Sequence, residues 1–142
     1  MKNSKEILSS VVKTAQMGQV GIRSVLDTSM RPSLRKALES QLREYDSIET
    51  EAHTIASQRG WELRELDPWV RMMTDMMTRM KLHGRNTDSK IADMMIQGNT
   101  KGMVKGLKNL HQFPSSDSQV QMVSQKLLDC ETANIRQMQG FL

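Results

Sequence analysis

Glu49 and His53 stand four residues apart, and Glu131 precedes Asn134 by three. At helical spacing each pair falls on one side of a helix. A carboxylate and an imidazole so placed could hold a borderline divalent cation, and Glu49, His53 and Glu131 are the residues from which a metal-binding or redox centre would be built. The other polar residues on apolar stripes are uncharged: Gln19, Tyr45, Asn99 and Asn134, with Gln16 further out. Neutral amides bind transition metals poorly, and two inward carboxylates do not balance a two-metal centre. A buried polar cluster of Gln19, Tyr45, Glu49, Asn99, Glu131 and Asn134 is therefore expected, pairing internally and holding helix register, with no cofactor and no catalytic residue. Each member left unpaired would cost on the order of 1–3 kcal/mol.

Other reactive residue types admit plainer uses. Met72, Met73, Met76, Met77 and Met80 mark one side of a helix. Thioethers can bind Cu(I), yet only His83 is close, so packing or a subunit contact is expected. Gly98, Gly102 and Gly106 repeat every four residues, each at a cost of up to about 1 kcal/mol in helix stability. Such a run permits close backbone approach, against the first helix or a second subunit. The alternative is that the missing side chains leave a ligand groove, visible as an apolar pocket beside Gly98 and Gly102. Lys90, Lys101, Lys105 and Lys108 share a face without interleaved aromatics, which describes a solvated surface rather than a nucleic-acid contact. Cys130, on the inner half of its helix beside Glu131, is poorly placed to form a thiolate. His83 and His111 lie near helix ends, where a contact with the helix dipole suffices, and no Gly-rich phosphate loop occurs.

The elements that must position these residues are helices. The chain of 142 residues is 37% hydrophobic and 25% charged, with a net charge of +4, enough for one domain and too apolar for a disordered one. A single cysteine excludes a disulfide framework and a Cys-based zinc site. Apolar runs are too short to span a membrane, and the start, MKNSKEILSSVVK, lacks the long apolar segment of a secretory signal, so an intracellular location is expected.

Apolar residues recur at three- and four-residue intervals, which predicts an all-α protein. Leu8, Val11, Ala15, Gly18, Ile22 and Val25 place a first helix at residues 5–29. Pro32 opens a second, 32–59, with Leu34, Leu38, Gln41, Tyr45, Ile48, Ala52 and Ile55 inward and Gly60 as its stop. Asp67-Pro68 opens a short Met-rich helix, 68–82. After a break at Gly84-Arg85-Asn86-Thr87, Asp88 or Ser89 caps a helix over 88–112, with Ala92, Ile96, Asn99, Met103, Gly106 and Leu110 inward. Pro114-Ser115-Ser116 breaks the chain before the last helix, 116–139, which carries Val120, Val123, Leu127, Glu131, Asn134 and Met138 inward. Two long hairpins joined by a connection of roughly 25 residues describe a four-helix bundle with one long crossover.

That topology resembles the ferritin-like bundles. Glu131-Thr-Ala-Asn134 looks like their Glu-x-x-His element with Asn in place of His, and Glu49-Thr-Glu-Ala52 also lacks the His. The hairpin leaving through Gly60-Trp61 before a proline, and the segment Ile91 to Thr100, are similar to the coat F family of bacterial spore proteins. The resemblance implies a ferritin-like four-helix bundle whose long crossover contains the short Met-rich helix. It also implies a non-enzymatic structural or assembly protein with a degenerate metal site. Its partners would be a second copy of the chain, a dimer being favoured, and other coat proteins, with no membrane and no nucleic acid.

Overall fold

The computed structural model describes residues 3–81, 87–112 and 117–142, apart from the side chains at 80, 81 and 87. Among these residues the regular elements are α-helices throughout: α1 (Ser4–Leu26), α2 (Pro32–Arg59), α3 (Pro68–Lys81), α4 (Thr87–Gln112) and α5 (Ser118–Gln139). None of them is long and apolar enough to cross a membrane.

Local chemistry sets most of the ends. Asn3 caps α1, its side chain accepting from the Glu6 N–H at 2.9 Å. Asp67 accepts from the Trp69 N–H at 2.8 Å and opens α3. Asp117 receives the Gln119 and Val120 N–H groups at the start of α5 and also pairs with Arg59 from the end of α2. α2 stops at Gly60, whose φ of 68° and ψ of 27° lie in the left-handed region that glycine enters without strain. α1 is shorter than the expected 5–29. Its last carbonyls are taken by the Arg35 guanidinium, which donates to Leu26 O at 2.7 Å and Thr28 O at 3.0 Å, so the chain turns after Leu26. Asp88, expected as a cap, instead accepts from the Arg31 side chain at 2.7 Å and ties the start of α4 to the α1–α2 turn. The break expected from Gly84 gives way to α4 at Thr87, while its residues 84–86, the break at 114–116 and His83 lie outside the described residues.

The four long helices share one core. Leu26 meets Arg35, Gly18 meets Tyr45 and Gln16 meets Glu49, so α1 and α2 run antiparallel. Gly102 faces Glu131 and Gly106 faces Leu128, so α4 and α5 do too. Asn109 reaches Ser10 at 3.0 Å, and Gln41 reaches Gln137 at 2.8 Å, opposing α4 to α1 and α5 to α2. Thus α1 and α5 point one way, α2 and α4 the other.

α1 is the axis of the packing and touches all four other helices. It is buried on most sides, from Ile7 to Val25, where the sequence pattern marked a single stripe. α3 rests on α1, held by Ser24 donating to Asp75 at 2.6 Å and by Arg79 pairing with Asp27 at 2.6 Å. On α4 Ala92 and Asn99 are buried as expected, but the inward face also takes in residues beside that stripe. Ile91, Met95 and Asn109 are buried and Leu110 is turned out. Hydrogen bonding to Ser10 makes Asn109 the better buried residue at that level.

Two glycines make opposite demands on this packing. A Cβ at Gly18 would lie 2.6 Å from the Tyr45 ring, whereas one at Gly98 would meet no atom within 4 Å. Gly18→Ala is expected to destabilise the fold by about 1–3 kcal/mol through overpacking. Gly98→Ala should stabilise it by up to about 1 kcal/mol through helix propensity. Urea denaturation of the two variants beside the parent checks both signs.

Candidate functional site

Tyr45 reaches the middle of the core from α2, and its hydroxyl gathers residues from two other helices. It lies 2.7 Å from Asn99 Oδ1 of α4 and 2.9 Å from Glu131 Oε2 of α5, while Asn134 Nδ2 donates to it at 3.4 Å. All four residues are buried, Glu131 to 2% exposure. A phenol has one proton and cannot donate to two acceptors at once. The set closes when Glu131 is protonated: its carboxyl donates to Tyr45, and Tyr45 donates to Asn99. The electrostatics agree. Burial raises the Glu131 carboxyl to about 8, against a partly opposing hydrogen bond from Tyr45. Burial, then the nearby Glu131 carboxyl, pushes Tyr45 well above the usual phenol range. Burial likewise raises the adjacent Cys130 thiol, which makes it a poor nucleophile.

A cavity of about 550 Å³ lies beside this set, between α1, α3 and α4. Tyr45, Asn99 and Glu131 form its polar part, and Met17, Ile22, Met77, Met94 and Met95 contribute apolar wall. Lys13 and Lys101 also line it, Lys13 half-buried and Lys101 exposed. Glycines leave the space. Gly98 opens onto the cavity, and a Cβ at Gly102 would lie 2.7 Å from Glu131 Oε1, so that oxygen sits where a side chain would otherwise be.

Of the close approach expected along Gly98, Gly102 and Gly106, the contact with the first helix is made at Gly102, through Thr14. Gly102 faces Glu131 and Thr14, and Gly106 meets Leu128 at an ordinary 3.7 Å. Gly102 and Gly106 thus stand against side chains of the same chain, while Gly98 meets no atom within 4 Å. The methionine face divides as well. Met72, Met76 and Met77 are about half exposed and Met73 is half-buried. Met77 faces the cavity, and the Met80 side chain lies outside the described residues.

The expected polar cluster is in fact two hydrogen-bonded groups. Gln19 and Glu49 do not join Tyr45, Asn99, Glu131 and Asn134. Gln19 Nε2 donates to Glu49 Oε1 at 2.8 Å and Gln16 Nε2 to Glu49 Oε2 at 3.0 Å. Both glutamines are buried, Gln16 included, although its position had suggested a place further out. Burial raises the Glu49 carboxyl, but the Gln19 and Gln16 amides and His53 outweigh it, so the net shift is downward. His53 Nε2 lies 3.4 Å from Glu49 Oε2 and 3.5 Å from Glu65 Oε1.

Among the described residues, the His, Cys, Asp and Glu side chains close enough to share an ion are Glu49, His53 and Glu65. Glu131, the third member expected from the sequence, is replaced there by Glu65. Glu65 sits between α2 and α3, where helical periodicity carries no information. Comparison with known proteins yields no match: no family model, no curated protein and no solved structure matches the chain.

Because Glu131 moves from an ordinary 4.5 to about 8 on folding, the native chain holds more protons than the unfolded one between those values. Its stabilising contribution is full below the lower value, falls by up to about 1.4 kcal/mol per pH unit between them, and is gone above the upper. Glu131→Gln retains a donor for Tyr45 without the charge. Urea denaturation from about pH 5 to about pH 9 should show a flatter pH dependence and higher stability at the alkaline end in that variant. Parallel profiles would identify another group as the source.

Proposed function

We propose that this chain is a non-catalytic small-molecule-binding helical protein whose ligand occupies the cavity beside Gly98 and Gly102. One observation carries this reading: a cavity of about 550 Å³ whose largely methionine wall meets a buried carboxyl, phenol and amide. Its size falls within the range of small-molecule sites, roughly 300–1,000 Å³. Thioether side chains adapt their shape to an apolar guest. An anion set against Glu131 and Tyr45 would lack a counter-charge, whereas Lys13 and Lys101 are cationic. The expected ligand is an amphiphile with its apolar body on the methionine wall and its acidic end toward the lysines. The directions of the four long helices support a ferritin-like bundle with one crossover. The Asn99 and Asn134 amides beside Glu131 support a degenerate metal site within it.

A second reading rests on a different face. Trp69 is 63% exposed, and Met72 and Met76 project from the same helix. That surface supports assembly, through a second copy of the chain or through coat-type partners. Large exposed apolar side chains grouped on one helix are a feature of interaction surfaces.

The binding reading is tested with anilinonaphthalene sulfonate, which joins an apolar ring system to an anion. The parent should bind it saturably, and Gly98→Leu, which fills open space, should weaken binding by at least about tenfold, or 1.4 kcal/mol, without losing stability. Equal affinity in both proteins, or no saturable binding, would remove the proposal. For the second reading, sedimentation equilibrium should give a dimer that Trp69→Ser weakens. A strict monomer at high concentration would remove it.

A further inference from the structure

Glu49 and His53 share one side of α2, and Glu65 reaches the same point from the segment that leads to α3. The His53 contacts are within ion-pair range, and three features of the group also fit a shared cation. The first is distance. His53 Nε2 stands 3.4 Å and 3.5 Å from the two carboxylate oxygens, longer than the ~2.7–2.9 Å of a charge-assisted hydrogen bond. Donors bound at about 2.0–2.1 Å to a tetrahedral ion lie about 3.3–3.4 Å from one another, close to what is seen. The second is charge. Two carboxylates stand with oxygens within 4.8 Å of each other. Like charges at this distance repel, and a divalent cation coordinated by both and by a neutral imidazole would be balanced. The third is support. Both oxygens of Glu49 are held by amides on a neighbouring helix, Gln19 at 2.8 Å and Gln16 at 3.0 Å. Hydrogen bonds of that kind orient a ligating carboxylate and sharpen metal affinity.

We infer that Glu49, His53 and Glu65 bind one borderline divalent cation, Zn²⁺ being the best fit, with a fourth position open to solvent. An imidazole nitrogen and only three protein donors disfavour Ca²⁺ and Mg²⁺, which take larger oxygen shells or keep their own waters. Two ligands come from a rigid helix and the third from the chain beyond Gly60, so the ion would clasp that segment to α2. The side chains of His53 and Glu65 are 41% and 59% exposed, leaving an entry path. The site is separate from the Tyr45 cavity, and it stands or falls independently of ligand binding there.

The experiment is calorimetric titration of chelator-treated protein with ZnCl₂, and in parallel with CaCl₂. One equivalent of zinc should bind, with calcium giving no saturable heat. His53→Ala and Glu65→Ala should each lose at least about tenfold in zinc affinity. Gln19→Ala should lose about tenfold or somewhat more, as expected for a residue that orients a ligand. The metal-free melting temperature of Glu65→Ala should match the parent, because that side chain is largely in solvent, so this variant decides even if another folds poorly. Absence of saturable zinc binding, or undiminished affinity in both His53→Ala and Glu65→Ala, would overturn the inference.

Discussion

One phenolic proton at the centre of the core constrains much of what surrounds it. The Tyr45 hydroxyl touches Asn99 and Glu131 and receives Asn134, so α2, α4 and α5 must agree in register for any of the three contacts to form. α1 joins through Gly18, whose missing side chain leaves room for the Tyr45 ring. Since one proton cannot satisfy two acceptors, the arrangement favours a carboxylic acid over a carboxylate in the core. Burial favours the same state. A neutral acid that far inside costs much less than a bare charge, and it allows Glu131 to stand where an apolar side chain would otherwise serve.

The two inward glutamates show how one residue type diverges with environment. Glu131 is buried and meets a single phenol, so it keeps its proton well above the usual carboxylate range. Glu49 is only half-buried and receives two amide donors, so it remains an anion. Glu131 therefore offers hydrogen bonds to whatever enters the cavity, while Glu49 offers charge to whatever approaches from solvent. This division separates the cavity lining from the Glu49, His53 and Glu65 group. α3 rests on α1 and brings Met77 to the cavity.

Much of the architecture was legible in the chain. The spacing of Leu8, Val11, Ala15, Ile22 and Val25, the Pro32 start and the Gly60 stop follow from turn geometry and propensity, which act locally. Asp67 and Asp117 act as caps because the helix-opening N–H groups need acceptors wherever the helix lies. Individual members of the core set, Tyr45, Asn99, Glu131 and Asn134, were also visible as polar residues on apolar stripes. Their division from Glu49 was not, because periodicity reports which face a residue occupies and says nothing of which partner stands opposite. Gln16 was placed too far out, and Asn109 was not anticipated, for a related reason. A polar side chain with a partner is buried as readily as an apolar one, and the partner lies far away in the chain.

The sequence by itself determined that this protein is helical, where its long helices run, and which residue types could meet inside it. Those properties depend on neighbours three and four positions away. Only the tertiary structure decided that burial raises the Glu131 carboxyl, that Gly98 borders a cavity, and that Glu65 completes the group around His53. Each of these depends on the distance between segments remote in the chain, and on how much water the packing leaves between them.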